Sequence, residues 1–391
     1  MEAALILVAM NALPPETESS GPPEAVPSPS ADVAEVVSDL RALVGAARAI
    51  DCELVDAAVR GWSQNTRRAF RSDLTIWGAW CRRRRVDPPK ARGSDVAAYV
   101  RELAGIDSSA EETRAMATIE RYLVSIGWAY RMAGLDDPTA ASLVRLEKKA
   151  ARKTLGVRQR QARAIRFKGD IADFDSPASG VCLAHLLKAC RRDLLGQRDA
   201  ALLRVAYDSA ARRSELVAID VDHLEGPDGG GAGTLFIPSS KTDQEGEGAY
   251  AYLSPETTEA IGRWREAARI ERGPLFRRVE THFDGSVAGV GRDALHPNSI
   301  TLIYKRLIRA AHAKKLLGPM SVAELEGWVS AVSSHSLRVG VAQDNFAAGE
   351  SLPAIMQAYR WRDPRTVLRY GAKLAAKSGA SARMAARLAG E

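Results

Sequence analysis

Apolar side chains recur at helical spacing along much of the chain. From Ser63 onward, Phe70, Leu74, Trp77 and Cys81 fall three or four residues apart, which predicts an amphipathic helix. The same spacing predicts two further helices in the first half, over Asp95–Leu103 and Thr113–Ala133. The second half is also mostly helical in pattern.

One β signal interrupts the helical pattern of the second half. Thr234–Pro238 and Ala249–Leu253 are short extended runs, and a polar loop over residues 239–248 joins them. Strands and helices do not alternate along the chain as they would in a parallel α/β sheet. The predicted fold class is therefore mainly α with a small antiparallel β-sheet.

Composition divides the chain into three parts. Leu13–Ala31 is rich in Pro, Ser, Glu and Gly and has almost no large apolar residue, so we expect disorder there. Apolar periodicity is lost again near Leu155–Ile165, as is typical of a domain boundary. We predict an acidic, largely disordered leader over residues 1–57, a helical domain over residues 58–157 and a second domain over residues 158–391.

The charge is distributed unevenly between these parts. Residues 1–57 carry ten acidic and two basic side chains, so the rest of the chain carries +15 against a total of +7. A basic body suggests a polyanionic partner. Charge alone leaves nucleic acid, a membrane surface and simple solubility open.

Two basic groups are candidate contacts for such a partner. The first group consists of several arginines on the other faces of the helix predicted from Ser63. The second group is the segment 145–168, which is the most basic stretch of the chain and contains a single acid, Glu147. A solvated helix followed by a linker is one interpretation. We favour contact with phosphates, which needs many cations and no particular sequence. The candidates are Arg67, Arg68, Arg71, Lys148, Lys149, Arg152, Arg158 and Arg160.

Cysteines and the N-terminus indicate the compartment. The cysteines Cys52, Cys81, Cys182 and Cys190 form neither a CxxC pair nor a Cys/His cluster, so we expect free thiols and no metal site. The apolar run Ala3–Met10 is too short to span a bilayer and follows an acid, unlike a signal peptide. We expect a cytoplasmic, nucleoid-associated protein with no membrane partner.

A set of polar and aromatic residues in the second half carries possible chemistry. Each member is weak evidence by itself, because an arginine near an acid is usually an ion pair, a loop lysine is usually solvated, and tryptophans and tyrosines are usually core residues. The set comprises Arg212, which Glu215 follows three residues later, and Lys241, His335, Arg338, Trp361 and Tyr370.

Together these residues suit reaction at a phosphodiester. A phenol such as that of Tyr370 is a nucleophile, and the forks of Arg212 and Arg338 match the two non-bridging oxygens. The departing sugar oxygen needs a general acid, for which Lys241 is the natural donor. His335 is a candidate phosphate ligand or proton relay, and the indole N–H of Trp361 a further donor. No cofactor is implied, because a phosphotyrosine stores the energy of the broken bond.

The order Arg…Lys…HxxR…Trp…Tyr resembles that of the tyrosine recombinase (phage integrase) family. Similar stretches are His335–Asp344, Ala348-Gly349, Ile355–Ala358, Trp361 and Tyr370, with weaker similarity in Ala200–Leu216 and Trp77–Cys81. By this resemblance the matched residues are catalytic, and Glu215 is an acid that orients the site. Arg213 competes with Arg212, but the acid three residues on favours Arg212. Trp361 stands where many members carry histidine.

The resemblance also implies an architecture and partners. The fold would be a two-domain, C-shaped clamp on double-stranded DNA with an inverted-repeat target. The chain would be a monomer or weak dimer when free and a homotetramer on DNA. The segment Lys373–Leu388 would dock on a neighbouring protomer, although packing on its own domain is the alternative. Departures from the family are the acidic leader and the loops Gly226–Gly233 and Gly285–Gly291.

Three functions therefore compete. The first is a site-specific recombinase that cuts and rejoins DNA through a 3′-phosphotyrosine and a Holliday junction. The second is a relaxing activity like that of type IB topoisomerases, which the tetramer segment disfavours. The third is a catalytically silent DNA-binding regulator, which the complete set of catalytic positions disfavours. The target sequence, cis or trans cleavage, any accessory proteins and the biological task stay open.

Overall fold

A computed structural model describes residues 31–45, 49–106, 113–156, 161–169, 176–238, 247–378 and 380–389. The chain divides into two compact units, residues 1–160 and residues 161–391. This division lies three residues beyond the expected boundary at residue 157. Among the described residues, no helix is long and apolar enough to span a membrane.

The N-terminal unit is built from helices. They are α1 (Ala31–Val44), α2 (Cys52–Val59), α3 (Gln64–Arg84), α4 (Gly93–Leu103), α5 (Met116–Met132) and α6 (Ser142–Leu155). The helices predicted from Ser63, Asp95 and Thr113 correspond to α3, α4 and α5. Aromatic rings fill much of the core, where Trp62, Phe70 and Trp128 contact one another and Trp77 stacks on Trp80. Packing of these large rings fixes α3 against α5.

The leader prediction is wrong for residues 31–57 wherever the structure describes them. Helix α1 buries Val33, Val36, Val37 and Leu40, whose spacing gives the helix one apolar face. Helix α2 follows, with Asp51 as its N-cap. Composition failed here because the apolar stripe was averaged with the Pro-rich stretch before it. Residues 1–30, and with them most of the predicted disorder, lie outside the described residues.

The C-terminal unit contains the helices that carry the candidate chemistry. They are α7 (Leu183–Ala189), α8 (Leu194–Ser209), α9 (Arg213–Val217), α10 (Pro255–Ala268), α11 (Ser299–Ala313), α12 (Val322–Ala331), α13 (Ser336–Ala347), α14 (Leu352–Ala358), α15 (Pro364–Ser378) and α16 (Ala380–Ala389). Its main core joins α7, α8, α10, α11 and α12, with Trp264 and Tyr304 fully buried.

Strands β1 (Leu224–Glu225), β2 (Gly233–Ile237) and β3 (Ala249–Leu253) form an antiparallel sheet in that order. The predicted hairpin is confirmed, with Leu235 opposite Ala251. A second antiparallel pair, β4 (Arg277–Thr281) and β5 (Val287–Ala294), was not predicted. The segment Gly285–Gly291, interpreted as a loop, lies mostly in β5. Gly289 and Gly291 within β5, together with its lack of regular alternation, conceal the strand in the sequence.

Helix α13 is fixed by contacts with the segment that opens the unit. The carboxylate of Asp344 accepts hydrogen bonds from Arg166 Nε at 2.6 Å, from the Phe167 amide at 2.8 Å and from the Tyr207 hydroxyl at 2.6 Å. Gly340 lies so close to Ile165 that a Cβ atom there would come within 1.9 Å of its carbonyl oxygen. The first turn of α13, which carries Arg338, is thereby held in place.

Candidate active site

The turn between α8 and α9 positions the first candidate arginine. Helix α8 ends at Ser209, and Ala210 takes a left-handed conformation with φ of 45°. Arg212 is the N-cap of α9. Glu215 accepts the Arg212 backbone N–H at 2.9 Å and its Nη1 at 2.7 Å. One carboxylate therefore fixes both the backbone and the guanidinium of Arg212.

The competing residue, Arg213, points elsewhere. Its side chain is exposed and donates through Nη1 to the side-chain oxygen of Asn298 at 3.2 Å. Arg212, by contrast, is half-buried beside Glu215. The geometry favours Arg212 as the site arginine of this pair.

Arg338 is buried at the centre of the site. It donates through Nη1 to the carbonyl of Ala210, and its guanidinium carbon lies 4.7 Å from the centroid of the Trp361 ring. Burial lowers the pKa of Arg338 to about 9; the charge of Arg212 adds to this effect, while Glu215 and Tyr370 oppose it. These influences show that the four groups share one electrostatic environment.

Glu215 is ionised in that environment. Burial by itself raises the pKa of its carboxyl, but the charge and hydrogen bonds of Arg212, together with the charge of Arg338, outweigh burial and lower the pKa. A buried carboxylate held between guanidinium groups orients them and balances part of their charge.

Trp361 and Tyr370 complete the described part of the site. Trp361 lies between α14 and α15, and its ring centroid is 6.2 Å from that of Tyr370 on α15. The indole Nε1 of Trp361 is buried and has no hydrogen-bond acceptor among the described residues. Gln343 on α13 donates to the backbone carbonyl of Tyr370 at 3.1 Å, which ties α13 to α15.

Two further predicted site residues, His335 and Lys241, differ in how far the structure describes them. His335 is the exposed N-cap of α13, three residues before Arg338, and its amide donates to Ser333 Oγ at 3.2 Å. Lys241 lies outside the described residues, in the loop between β2 and β3.

One residue of the cluster was not singled out in the sequence. Arg360 precedes Trp361, and its Nη2 donates to the Ser209 carbonyl at 3.1 Å and lies 3.7 Å from Glu215 Oε2. Burial lowers the pKa of Arg360, the charge of Glu215 opposes this effect, and the charge of Arg212 adds to it. No spacing or motif marks Arg360; the only signal is its position beside Trp361.

The predicted DNA-contact residues of the N-terminal unit have varied surroundings. Arg71 pairs with two acids of α1, with Nε 3.0 Å from Asp39 and Nη2 3.5 Å from Glu35. Arg67 donates to the Trp62 carbonyl, Arg68 is exposed on α3, and Arg152 donates to Glu120. Lys148 is half-buried and Lys149 exposed on α6. Arg158 and Arg160 lie outside the described residues.

Comparisons with known proteins identify a family and several relatives of this chain. A profile of the phage integrase family matches residues 182–377. The chain is 28% identical over 330 residues to the recombinase Cre of Escherichia phage P1, covering 83% of this chain and 89% of Cre. It is 26% identical over 316 residues to an integrase/recombinase XerD homologue of Selenomonas ruminantium, covering 79% and 81%.

Solved structures share the fold at low identity. The XerH site-specific recombinase, in a post-cleavage complex with a palindromic difH substrate, aligns with a TM-score of 0.54 and 13% identity, over 92% of this chain and 98% of XerH. The Tn1549 transposon integrase, in complex with transposon right end DNA, aligns with a TM-score of 0.50 and 12% identity, over 87% and 94%. The chain therefore belongs to the phage integrase family of tyrosine recombinases.

Proposed function

We propose that this chain is a site-specific DNA recombinase that cuts and rejoins strands at inverted-repeat sites through a 3′-phosphotyrosine at Tyr370. One observation carries the proposal: the buried guanidinium of Arg338 lies against Trp361 and shares its electrostatic environment with Arg212, Glu215 and Tyr370. Fixed cations beside a tyrosine suit a reaction in which a phenol attacks an anionic phosphodiester.

The reaction conserves the energy of the broken bond. The Tyr370 oxygen attacks phosphorus, a P–O bond to the tyrosine forms, and the P–O5′ bond breaks. The phenol gives up its proton, and the departing 5′ oxygen gains one. A 5′-hydroxyl from a second duplex then reverses these changes and releases Tyr370. Exchange of one strand pair gives a Holliday junction, and exchange of the second pair completes recombination.

Each catalytic role follows from a chemical property of the residue. Arg212 and Arg338 bind the non-bridging oxygens, whose charge grows in the transition state, and Glu215 holds Arg212 in place. Trp361 contributes an indole N–H to the phosphate. Lys241 protonates the leaving oxygen, and His335 binds phosphate or relays the proton of the phenol.

The proposed partner is double-stranded DNA. Arg67, Arg68, Arg71, Lys148, Lys149 and Arg152 of the N-terminal unit, with Arg158 and Arg160, are proposed phosphate contacts. Such contacts position a protein on a duplex without reading its sequence. In α3, Arg71 already pairs with Asp39 and Glu35, so DNA competes with these acids for its guanidinium.

The proposed assembly is a homotetramer on DNA, formed from chains that are monomers or weak dimers when free. Two large apolar residues of α16, Met384 and Leu388, are exposed in the isolated chain. Burial of these side chains on a neighbouring protomer would couple assembly to the helix that follows Tyr370.

A plasmid assay tests the proposed function against its competitors. A plasmid carries two directly repeated copies of the inverted-repeat DNA that flanks the gene of this protein, and the reaction contains a metal chelator. A recombinase yields two smaller circles from the parent plasmid. Relaxation of supercoils without exchange would indicate a topoisomerase, and specific binding without any strand breakage would indicate a silent regulator.

A further inference from the structure

Arg360 occupies a backbone position that normally favours glycine. Helix α14 ends at Ala358, and the amide of Trp361 bonds back to the Met356 carbonyl at 2.9 Å. Arg360 itself has a φ of 58°, in the left-handed region. Helix ends of this kind usually place glycine there because a Cβ atom is unfavourable at positive φ. Arginine is therefore a more strained choice than glycine at this position.

The side chain turns into the active site. Its Nη2 binds the Ser209 carbonyl, directly beside the Ala210 carbonyl that receives Arg338. The same nitrogen lies 3.7 Å from Glu215 Oε2. Arg360 and Arg338 thus hold consecutive carbonyls of the turn that leads into Arg212.

Two neighbouring donors in this region lack acceptors. Within the part of the chain that the structure describes, Arg360 Nη1 and Trp361 Nε1 are both buried without a hydrogen-bond partner. A buried N–H group without an acceptor is unfavourable, and few occur in a folded chain. Their occurrence on adjacent residues indicates a common acceptor that enters with the substrate.

Charge points to the same kind of acceptor. In the described part of the site, the guanidinium groups of Arg212, Arg338 and Arg360 surround a single carboxylate, that of Glu215. Two positive charges are left without a balancing anion in a largely buried region. An anion bound there would relieve the mutual repulsion of the arginines, whereas a neutral ligand would not.

We propose that Arg360 is a third phosphate-binding arginine of the active site, which donates through Nη1 to the scissile phosphate beside the indole of Trp361. This inference rests on the proposed function, since the phosphate is the one that Tyr370 attacks. It adds a catalytic contact that Arg212 and Arg338 do not supply. The alternative is a positioning role, in which Arg360 acts only by holding Glu215 and the Ser209 carbonyl.

Arg360→Gly tests the contact without straining the backbone, because glycine favours the observed φ. Arg269→Gly is the matched control: Arg269 has a φ of 54° at the end of α10, and its side chain is exposed. We expect Arg360→Gly to slow formation of the covalent protein–DNA adduct about a hundredfold with unchanged DNA affinity. Arg269→Gly should react at the wild-type rate, and Arg360→Lys should fall between the two.

A charge-neutral substrate separates phosphate binding from positioning. When a methyl group replaces one non-bridging oxygen of the scissile phosphate, the negative charge that Arg360 binds is lost. If Arg360 binds the phosphate, the defect of Arg360→Gly relative to wild type should largely disappear on this methylphosphonate. Equal defects on both substrates would assign Arg360 a positioning role and overturn the proposal, as would a wild-type rate for Arg360→Gly on normal DNA.

A second measurement needs no target DNA. Sodium phosphate should raise the melting temperature of the wild-type chain and of Arg269→Gly above the value in sodium chloride of equal ionic strength. We expect Arg360→Gly to lose most of this gain. A full gain in Arg360→Gly would contradict the proposal. Failure of the wild-type chain to form any adduct counts against the proposed function, and the phosphate measurement then decides the role of Arg360 separately.

Discussion

The guanidinium of Arg338 lies 4.7 Å from the centroid of the Trp361 ring and donates at the same time to the Ala210 carbonyl. Arg338 is thereby held from two sides: by the Trp361 ring, between α14 and α15, and by the turn between α8 and α9 that leads into Arg212. Such restraint suits a cation that must face a phosphate without rearranging during the reaction.

Substitution of Trp361 separates the ring from its N–H group. Trp361→Phe keeps an aromatic face against Arg338 but lacks a donor, so we expect adduct formation to slow roughly tenfold. Trp361→Ala removes both and should slow it further. Trp328→Phe is the control, because Trp328 on α12 also packs against an arginine: the guanidinium carbon of Arg163 lies 3.5 Å from the centroid of its ring. Equal rates for Trp361→Phe and wild type would remove the indole N–H from the mechanism.

Lys241 is predicted to be the general acid. Lys241→Ala should slow cleavage strongly when the leaving group is the normal 5′ oxygen, and little when a 5′ sulfur replaces it. A thiolate leaves without protonation, whereas an alkoxide does not. Gln244→Ala, in the same loop, should behave like wild type on both substrates. Equal defects of Lys241→Ala on oxygen and sulfur substrates would assign the proton to another group.

Gly340 is predicted to be essential to the packing of α13. Alanine there would place a Cβ atom 1.9 Å from the Ile165 backbone oxygen, so the backbone must shift, at a cost of about 2 kcal/mol in the free energy of unfolding. Gly327→Ala in α12 is the control, since no atom lies within 4 Å of a Cβ at that position. It should stabilise the chain by about 0.5 to 1 kcal/mol. Denaturant unfolding measures the stability of both variants. A Gly340→Ala chain as stable as the wild type would show that α13 tolerates the methyl group.

The buried carboxyl of Asp73 should make the free energy of unfolding depend on pH. It is buried on α3, with Arg121 Nη2 2.9 Å away and the Ser125 hydroxyl donating at 2.8 Å. Burial raises the pKa of Asp73 from 3.8 to about 6, and its contacts with Ser125 and Arg121 oppose the rise only in part. The folded chain therefore binds the proton more tightly than the unfolded chain. Between pH 3.8 and about 6 the free energy of unfolding should fall as pH rises, by up to about 3 kcal/mol from this group.

Two variants separate the contribution of the Asp73 carboxyl from that of other carboxyls. Asp73→Asn should flatten the fall in stability over that pH window, whereas Asp136→Asn, which changes an exposed carboxyl of the same unit, should leave the fall unchanged. Unfolding curves at several pH values measure the effect. An identical pH dependence in Asp73→Asn and wild type would show that Asp73 does not titrate in this range.

The sequence predicted the elements whose signal is local. Periodic apolar residues marked α3, α4 and α5, and extended runs marked β2 and β3, because burial of one face requires a regular spacing. Arg212, Glu215, Arg338, Trp361 and Tyr370 were expected at the site because their order resembles that of the tyrosine recombinase family, and the structure brings them together.

The features that the sequence did not predict depend on contacts between residues that are distant in the chain. Helix α1 has a good apolar stripe, but only its packing against the N-terminal core shows that this acidic segment is folded. Strand β5 is stabilised by its pairing with β4 and not by its own residues. Arg360 carries no motif, and its role depends on Ser209, about 150 residues earlier in the chain.

Covalent trapping tests the central claim most directly. Nicked duplexes built from the inverted repeats that flank the gene of this protein are incubated with the chain in chelator, denatured in detergent and separated on a gel. Wild type and Tyr252→Phe, which changes an exposed tyrosine of β3, should both form a protein–DNA adduct. Tyr370→Phe should form none while binding the same DNA nearly as well, because phosphate contacts dominate the affinity. An undiminished adduct with Tyr370→Phe would contradict the account.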